Sequence, residues 1–151
     1  MVTTRNRVEV LHGVNFDMLG SRDHLIYGDF TLPELEVKIK RFAKDLRLEP
    51  RFFQTNHEGE FVEYLHRLPE LADAAIVNAG AWTHYSWAIR DALDLTGVPT
   101  VEVHLSDISN REKWRKVSVF DGLELVIAQI YGKGPDGYRE GLELLAERLG
   151  V

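Results

Sequence analysis

The chain has 151 residues, 44% of them hydrophobic, enough for one well-buried core and too few for two ordinary domains, so a single domain over 1–151 is expected. A net charge of −6 and a pI near 5.5 argue against general binding to nucleic acid or anionic membranes, which Lys and Arg drive by neutralising phosphate. Cysteine is absent, which excludes disulfides, thiolate metal sites and a cysteine nucleophile and fits a reducing, cytoplasmic setting.

Met1 to Val8 lead into a strand pattern without the apolar stretch of a secretory leader, and no run is apolar enough to span a bilayer. Val8 to Leu11 read as a short buried strand, followed by a polar, glycine-bearing loop to about Asp29 that is too long for a mere connector. Thr31-Leu-Pro-Glu34 has capping-box spacing, and Leu32, Leu35, Ile39, Phe42, Ala43 and Leu46 then repeat at helical period. Arg51 to Gln54 suit a second strand, and after the turn Thr55 to Gly59 a second helix carries Phe61, Val62, Leu65 and Leu68. Ala74 to Val77 form a third strand, with a helix from about His84 to Leu95 closed by Gly97. Pro99 to Val103 and Leu125 to Ile130 complete the strands, and Tyr138 to Leu149 form a last amphipathic helix. Strands alternating with helices imply an α/β fold, a parallel sheet covered on both faces.

Three polar segments each follow an apolar strand, at residues 11–28, 77–86 and 101–106 with Arg111 and Arg115 behind. In an open α/β sheet, ligands bind beyond the carboxyl ends of the strands, so the three converge on one pocket and an enzyme is the leading reading. Asn15, Asn78 and Ser106 at strand ends suit turns and caps as well as ligand contacts. Arg22 and Tyr27 are a solvated charge and a packing aromatic, or a base with its cation. A phenol titrates near ~10 in water and serves as a base at neutral pH only beside a charge that favours its ionised form. His84 is either a capping-region residue or a ligand contact. Glu102 lies two residues before His104 on the same strand face, so it can orient the imidazole and make it an acid. Arg111 and Arg115, four apart, share a face if that stretch is helical. The six histidines show no metal-binding spacing. Gly132-Lys-Gly134-Pro-Asp-Gly137 imitates a dinucleotide fingerprint but lacks the βα unit and acidic partner that should follow.

Together these segments resemble the type II 3-dehydroquinate dehydratases. The resemblance rests on Gly13-x-Asn15, Leu19-Gly20-x-Arg22, Tyr27-Gly28, Gln54-x-Asn56-His57-Glu58-Gly59, Asn78-x-Gly80-x-x-Thr83-His84-x-Ser86, Ile89-Arg90-Asp91-Ala92, Glu102-Val103-His104-Leu105-Ser106 and Arg111-Glu112-x-x-Arg115, in order over roughly residues 8 to 120. It implies a flavodoxin-like, five-stranded parallel sheet and a cofactor-free, metal-free lyase that converts 3-dehydroquinate to 3-dehydroshikimate through an enolate. By resemblance Tyr27 is the base, Arg22 holds it as phenolate, Asn15 steadies the enolate, and His104, oriented by Glu102, is the acid. Asn78, His84, Leu105, Ser106 and Arg115 bind substrate, Arg111 supports the Tyr27 loop, and Asp91 reaches a neighbouring subunit's site in a trimer-based homo-oligomer, up to a dodecamer. The chain departs from the pattern where Val14 replaces a proline and past Ser118, where Asp121-Gly-Leu-Glu124 and Gln129-Ile-Tyr131 replace an apolar, glycine-rich stretch. A non-catalytic relative binding a cyclic hydroxy-acid is the alternative, and it would need neither base nor acid. A flavodoxin-like nucleotide module would need a phosphate loop after the first strand, which this chain lacks.

Overall fold

The computed structural model describes residues 5–151, so the reading of residues 1–4 lies outside it. Its strands are β1 (Arg7–His12), β2 (Glu49–Gln54), β3 (Ala74–Asn78), β4 (Thr100–His104) and β5 (Val126–Tyr131). They form one parallel sheet in the order β2-β1-β3-β4-β5, the flavodoxin-like arrangement implied by the resemblance. Helices α2 (Leu32–Asp45) and α5 (Asp136–Leu149) cover one face, α3 (Glu58–Leu71) and α4 (Trp87–Thr96) the other.

Alternation along each strand decides which core a side chain joins. Val8, Val10, Ile76, Val101 and Val103 meet Leu35, Ile39, Tyr138, Leu142 and Leu145 on the α2–α5 side. Leu11, Ala75 and Val77 meet Phe61, Leu65, Ile89 and Leu93 on the other. Each fully buried Leu or Ile contributes about 1.5–3 kcal/mol.

The capping box of α2 is present, with Thr31 Oγ1 accepting from the Glu34 amide at 3.3 Å and the Glu34 carboxylate accepting from the Thr31 amide at 3.4 Å. Two local expectations are corrected. The helix expected from His84 starts at Trp87, because Ser86 Oγ accepts from the Ile89 amide at 3.1 Å and so fixes the cap; Gly80–His84 form a separate 3-10 turn that His84 ends. Arg111 and Arg115 do not share a helix, since Arg111 follows the 3-10 turn Ile108–Asn110 and Arg115 lies in the turn Lys113–Lys116. The long loop after β1 also holds a short helix, α1 (His24–Tyr27), capped by Asp23.

Two backbone features position the site. Gly13 lies so close to the next loop that a Cβ would sit 2.2 Å from the Ala79 carbonyl oxygen, and one on Gly80, whose φ is 64°, would sit 2.8 Å from that of Val14. The loops after β1 and β3 therefore interlock backbone against backbone. Between β4 and β5 the register shifts, with Thr100 opposite Val126 but Val101 opposite Ala128, so Ile127 is bulged and Glu102 faces Gln129.

Candidate active site

The loops beyond β1, β3 and β4 converge on one cleft. Its lining includes Asn15, Arg22, Tyr27, Asn78, His84, His104, Leu105, Ser106, Arg111 and Arg115. Two residues expected in the site lie outside the lining. Glu102 sits behind His104, and Asp91 is exposed on α4.

The Tyr27 hydroxyl oxygen receives hydrogen bonds from two guanidinium groups, Arg22 Nη2 at 2.9 Å and Arg111 Nη2 at 3.1 Å. Arg22 also stacks over the Tyr27 ring, 3.8 Å from its centroid. Arg111 donates a further bond to Ser106 Oγ at 3.0 Å, tying the Tyr27 segment to the loop after β4. Burial works against the Arg111 charge, but the Tyr27 oxygen and Glu112 more than offset it.

His104 Nε2 donates to Glu102 Oε2 at 2.6 Å, which assigns the proton to Nε2 and leaves Nδ1 without a protein partner among the described residues. Glu102 is 1% exposed. Burial alone would raise its pKa, but hydrogen bonds from His104, Gln129 and Ser118 hold it below the usual carboxylate range. His84 Nδ1 donates to the Val117 carbonyl at 2.6 Å, so Nε2 is its unprotonated nitrogen. Burial lowers the His84 pKa, favouring the neutral ring, which stacks against His104 with centroids 6.3 Å apart. Arg115 is aimed by Glu112 at 2.6 Å and by the Trp114 ring, 4.1 Å below its guanidinium carbon.

The sequence reading missed two supports. Asn15 has a left-handed backbone, φ 72°, and its amide donates to Asn56 Oδ1 at 2.8 Å, while Gln54 donates to the Gly13 carbonyl at 3.2 Å. The Gln54-to-Gly59 motif therefore braces the Asn15 loop. Behind Asn78 lies a buried pair: Asn78 Nδ2 donates to the Tyr138 hydroxyl at 3.2 Å, and that hydroxyl is 2.9 Å from His12 Nε2. Burial drives the His12 pKa down to about 3 and raises that of Tyr138, so both are neutral and share one buried hydrogen bond. Asn78 Oδ1 accepts from the Gly80 amide at 3.4 Å, which sets the amide's orientation. Only the strand-end position of Asn78 was visible in sequence, because its partner lies 60 residues away.

The cleft thus joins a phenol oxygen between two cations, an imidazole with a fixed counter-ion, and several donors for a carboxylate or oxyanion. Such a set suits proton removal beside a carbonyl coupled to acid-assisted loss of a leaving group. The family described as dehydroquinase class II matches residues 6–146, so the likeness runs beyond position 120, where it was expected to fade. The 3-dehydroquinate dehydratase of Syntrophotalea carbinolica is 48% identical over 137 residues, 90% of this chain and 91% of that protein. That of Thermotoga neapolitana is 48% identical over 134 residues, 89% of this chain and 90% of that protein. Among solved structures, the type II dehydroquinase from Propionibacterium acnes superposes with a TM-score of 0.89 at 33% identity, covering 97% of this chain and 99% of that one. The type II dehydroquinase from Butyrivibrio crossotus gives 0.87 at 32% identity, covering 99% and 100%. A sheet of this order, a cleft of this make-up and a sequence match over nearly the whole length lead to one conclusion: the chain belongs to the class II dehydroquinase family.

Proposed function

We propose that this chain is a 3-dehydroquinate dehydratase, a lyase that works through an enolate with side chains alone, as a single catalytic domain in the cytoplasm. The observation that carries the reading is the Tyr27 oxygen held between Arg22 and Arg111 at 2.9 and 3.1 Å. As phenolate, Tyr27 takes the proton from the carbon beside the ring ketone. The electron pair moves onto the ketone oxygen, where Asn15 and a water steady the enolate. His104, as imidazolium balanced by Glu102, gives the Nδ1 proton to the hydroxyl on the next carbon. The enolate collapses, water leaves, and a carbon–carbon double bond forms in conjugation with the ketone.

Leu105 and Ser106 offer backbone amides and a hydroxyl to the substrate carboxylate, with Asn78 beside them. His84 and Arg115 take the ring hydroxyls. Asp91, exposed on α4, completes the site of a neighbouring copy in a trimer-based homo-oligomer, up to a dodecamer. No helix among the described residues is long and apolar enough to cross a membrane.

The test is an ultraviolet assay for the conjugated enone on adding 3-dehydroquinate to purified protein in EDTA. A steady rise in absorbance is expected. No rise, with quinate still bound, would instead favour the non-catalytic binder.

A further inference from the structure

We propose that Gln129 is a positioning residue for the acid, holding His104 through Glu102 with Asp121 as its own anchor. The inference rests on the reading of His104 as the proton donor.

Glu102 and Gln129 are directly opposed across the β4–β5 pair, so their side chains stand on the same face of the sheet. Gln129 Nε2 donates to Glu102 Oε1 at 2.9 Å and to Asp121 Oδ1 at 2.6 Å. An amide nitrogen has two protons, and here each meets a carboxylate, which fixes the amide with its nitrogen toward Glu102. The other Glu102 oxygen, Oε2, receives His104 Nε2–H at 2.6 Å. Ser118 Oγ lies 3.0 and 2.9 Å from the two oxygens, but a hydroxyl has one proton to give. A carboxylate gripped only through Oε2 can pivot about its terminal torsion, which is broad, and swing the imidazole with it. The bond from Gln129 holds Oε1 and so sets the plane in which His104 stands. A line of hydrogen bonds runs from exposed Asp121 through Gln129 and Glu102 to a histidine 5% exposed in the cleft.

Gln129→Met removes the amide and keeps the length, and Gln129→Glu replaces it by a titrating group. The charged and titratable groups around that position are Glu102 and, beyond it, His104 from β4, Asp121 from the following loop, Arg90 from α4, which donates to the Asp121 carbonyl at 2.6 Å, Lys116 from the turn before Ser118, and Tyr131 along β5. The two carboxylates are the groups in hydrogen-bond contact with this position, whereas neither Lys116 nor Arg90 is bonded to it, so they outweigh the two cations and raise the pKa of the introduced carboxyl. Protonated, it donates to Glu102 as the amide did. Ionised, it repels Glu102.

Steady-state turnover of 3-dehydroquinate by parent, both variants and His104→Ala, from about pH 5.5 to about pH 8.5, with quinate affinity by calorimetry, tests this role. Gln129→Met should lower kcat about tenfold at every pH, with quinate affinity unchanged. The Gln129→Glu to parent ratio of kcat should be near one at the acid end and fall as pH rises, a titration that loss of packing alone would not produce. If Gln129→Met fails to fold, the pH dependence of the Gln129→Glu ratio suffices by itself. A flat ratio, or parental kcat in Gln129→Met, while His104→Ala loses at least ~10²-fold, overturns the inference. Parental turnover by His104→Ala overturns the acid assignment and this inference with it.

Discussion

His104 ends a strand buried along its whole length, whereas Tyr27 ends a four-residue helix that has no buried residue. Behind His104 lies Glu102, itself held by Ser118 and Gln129. Beside Tyr27, Leu25 is 97% exposed, and the segment from Gly20 to Gly28 hangs between the buried anchors Leu19 and Phe30. Arg22 lies within that segment, so of the two cations on the Tyr27 oxygen only Arg111 ties it to the body. The proposed acid is therefore built into the floor of the cleft, while the proposed base rides on a segment held by the packing of the Tyr27 ring against the core and by the bonds to its oxygen. If Tyr27 is the base, delivering it this way would couple substrate capture to the exclusion of water.

The contrast is sharpest at the base itself. Tyr27→Phe keeps the ring under Arg22 and removes the oxygen, so kcat should fall at least ~10²-fold while quinate affinity, read by calorimetry, changes little. A Phe variant at near-parental rate would show that the segment carries no chemistry.

The floor should fail in acid. The His12 pKa is about 3 in the folded chain against ~6.5 unfolded, so below ~6.5 only the unfolded chain takes up the proton. This contribution is complete above ~6.5 and is lost as pH falls toward 3, at about 1.4 kcal/mol per pH unit. Urea unfolding at pH 7 and about pH 4.5 should therefore differ by about 2–3 kcal/mol from this residue, and His12→Asn should remove that part of the difference.

Arg115 belongs to neither extreme, being part-exposed and aimed by Glu112 and Trp114. Arg115→Ala should weaken quinate binding about tenfold by leaving hydroxyls unpaired, with a smaller effect on kcat. The gentlest probe is trypsin. The open segment should be cut after Arg22, and saturating quinate should slow that cut several-fold by favouring closure. An unchanged cleavage rate would mean that both reacting groups are equally fixed.

Sequence reasoning reached the features that depend on near neighbours. The capping box at Thr31, the face shared by Glu102 and His104, and the strand ends bearing Asn15 and Asn78 all follow from spacings of a few residues. It placed the start of α4 at His84 because the 3-10 turn before Ser86 has no periodicity to separate it from a helix. His12 with Tyr138, 126 residues apart, and Glu102 with Gln129, 27 apart, stayed hidden, since the first depends on how α5 docks on the sheet and the second on strand register. The segment past Ser118 looked like a departure in sequence, yet its Gln129 joins Ser118 in donating to Glu102.

The bulge at Ile127 also makes the site tolerant of changes in chain length. Because side chains alternate along a strand, one inserted residue ordinarily turns the remainder inside out. Here the surplus residue is stored between Val126 and Ala128, ahead of the stretch that matters. A chain lacking Ile127 can close the gap as an unbroken ladder, with Ala128 still on Val101 and Gln129 still on Glu102. The loop from Asp121 to Leu125 can thus lengthen or shorten by a residue without changing which side chain stands behind the acid.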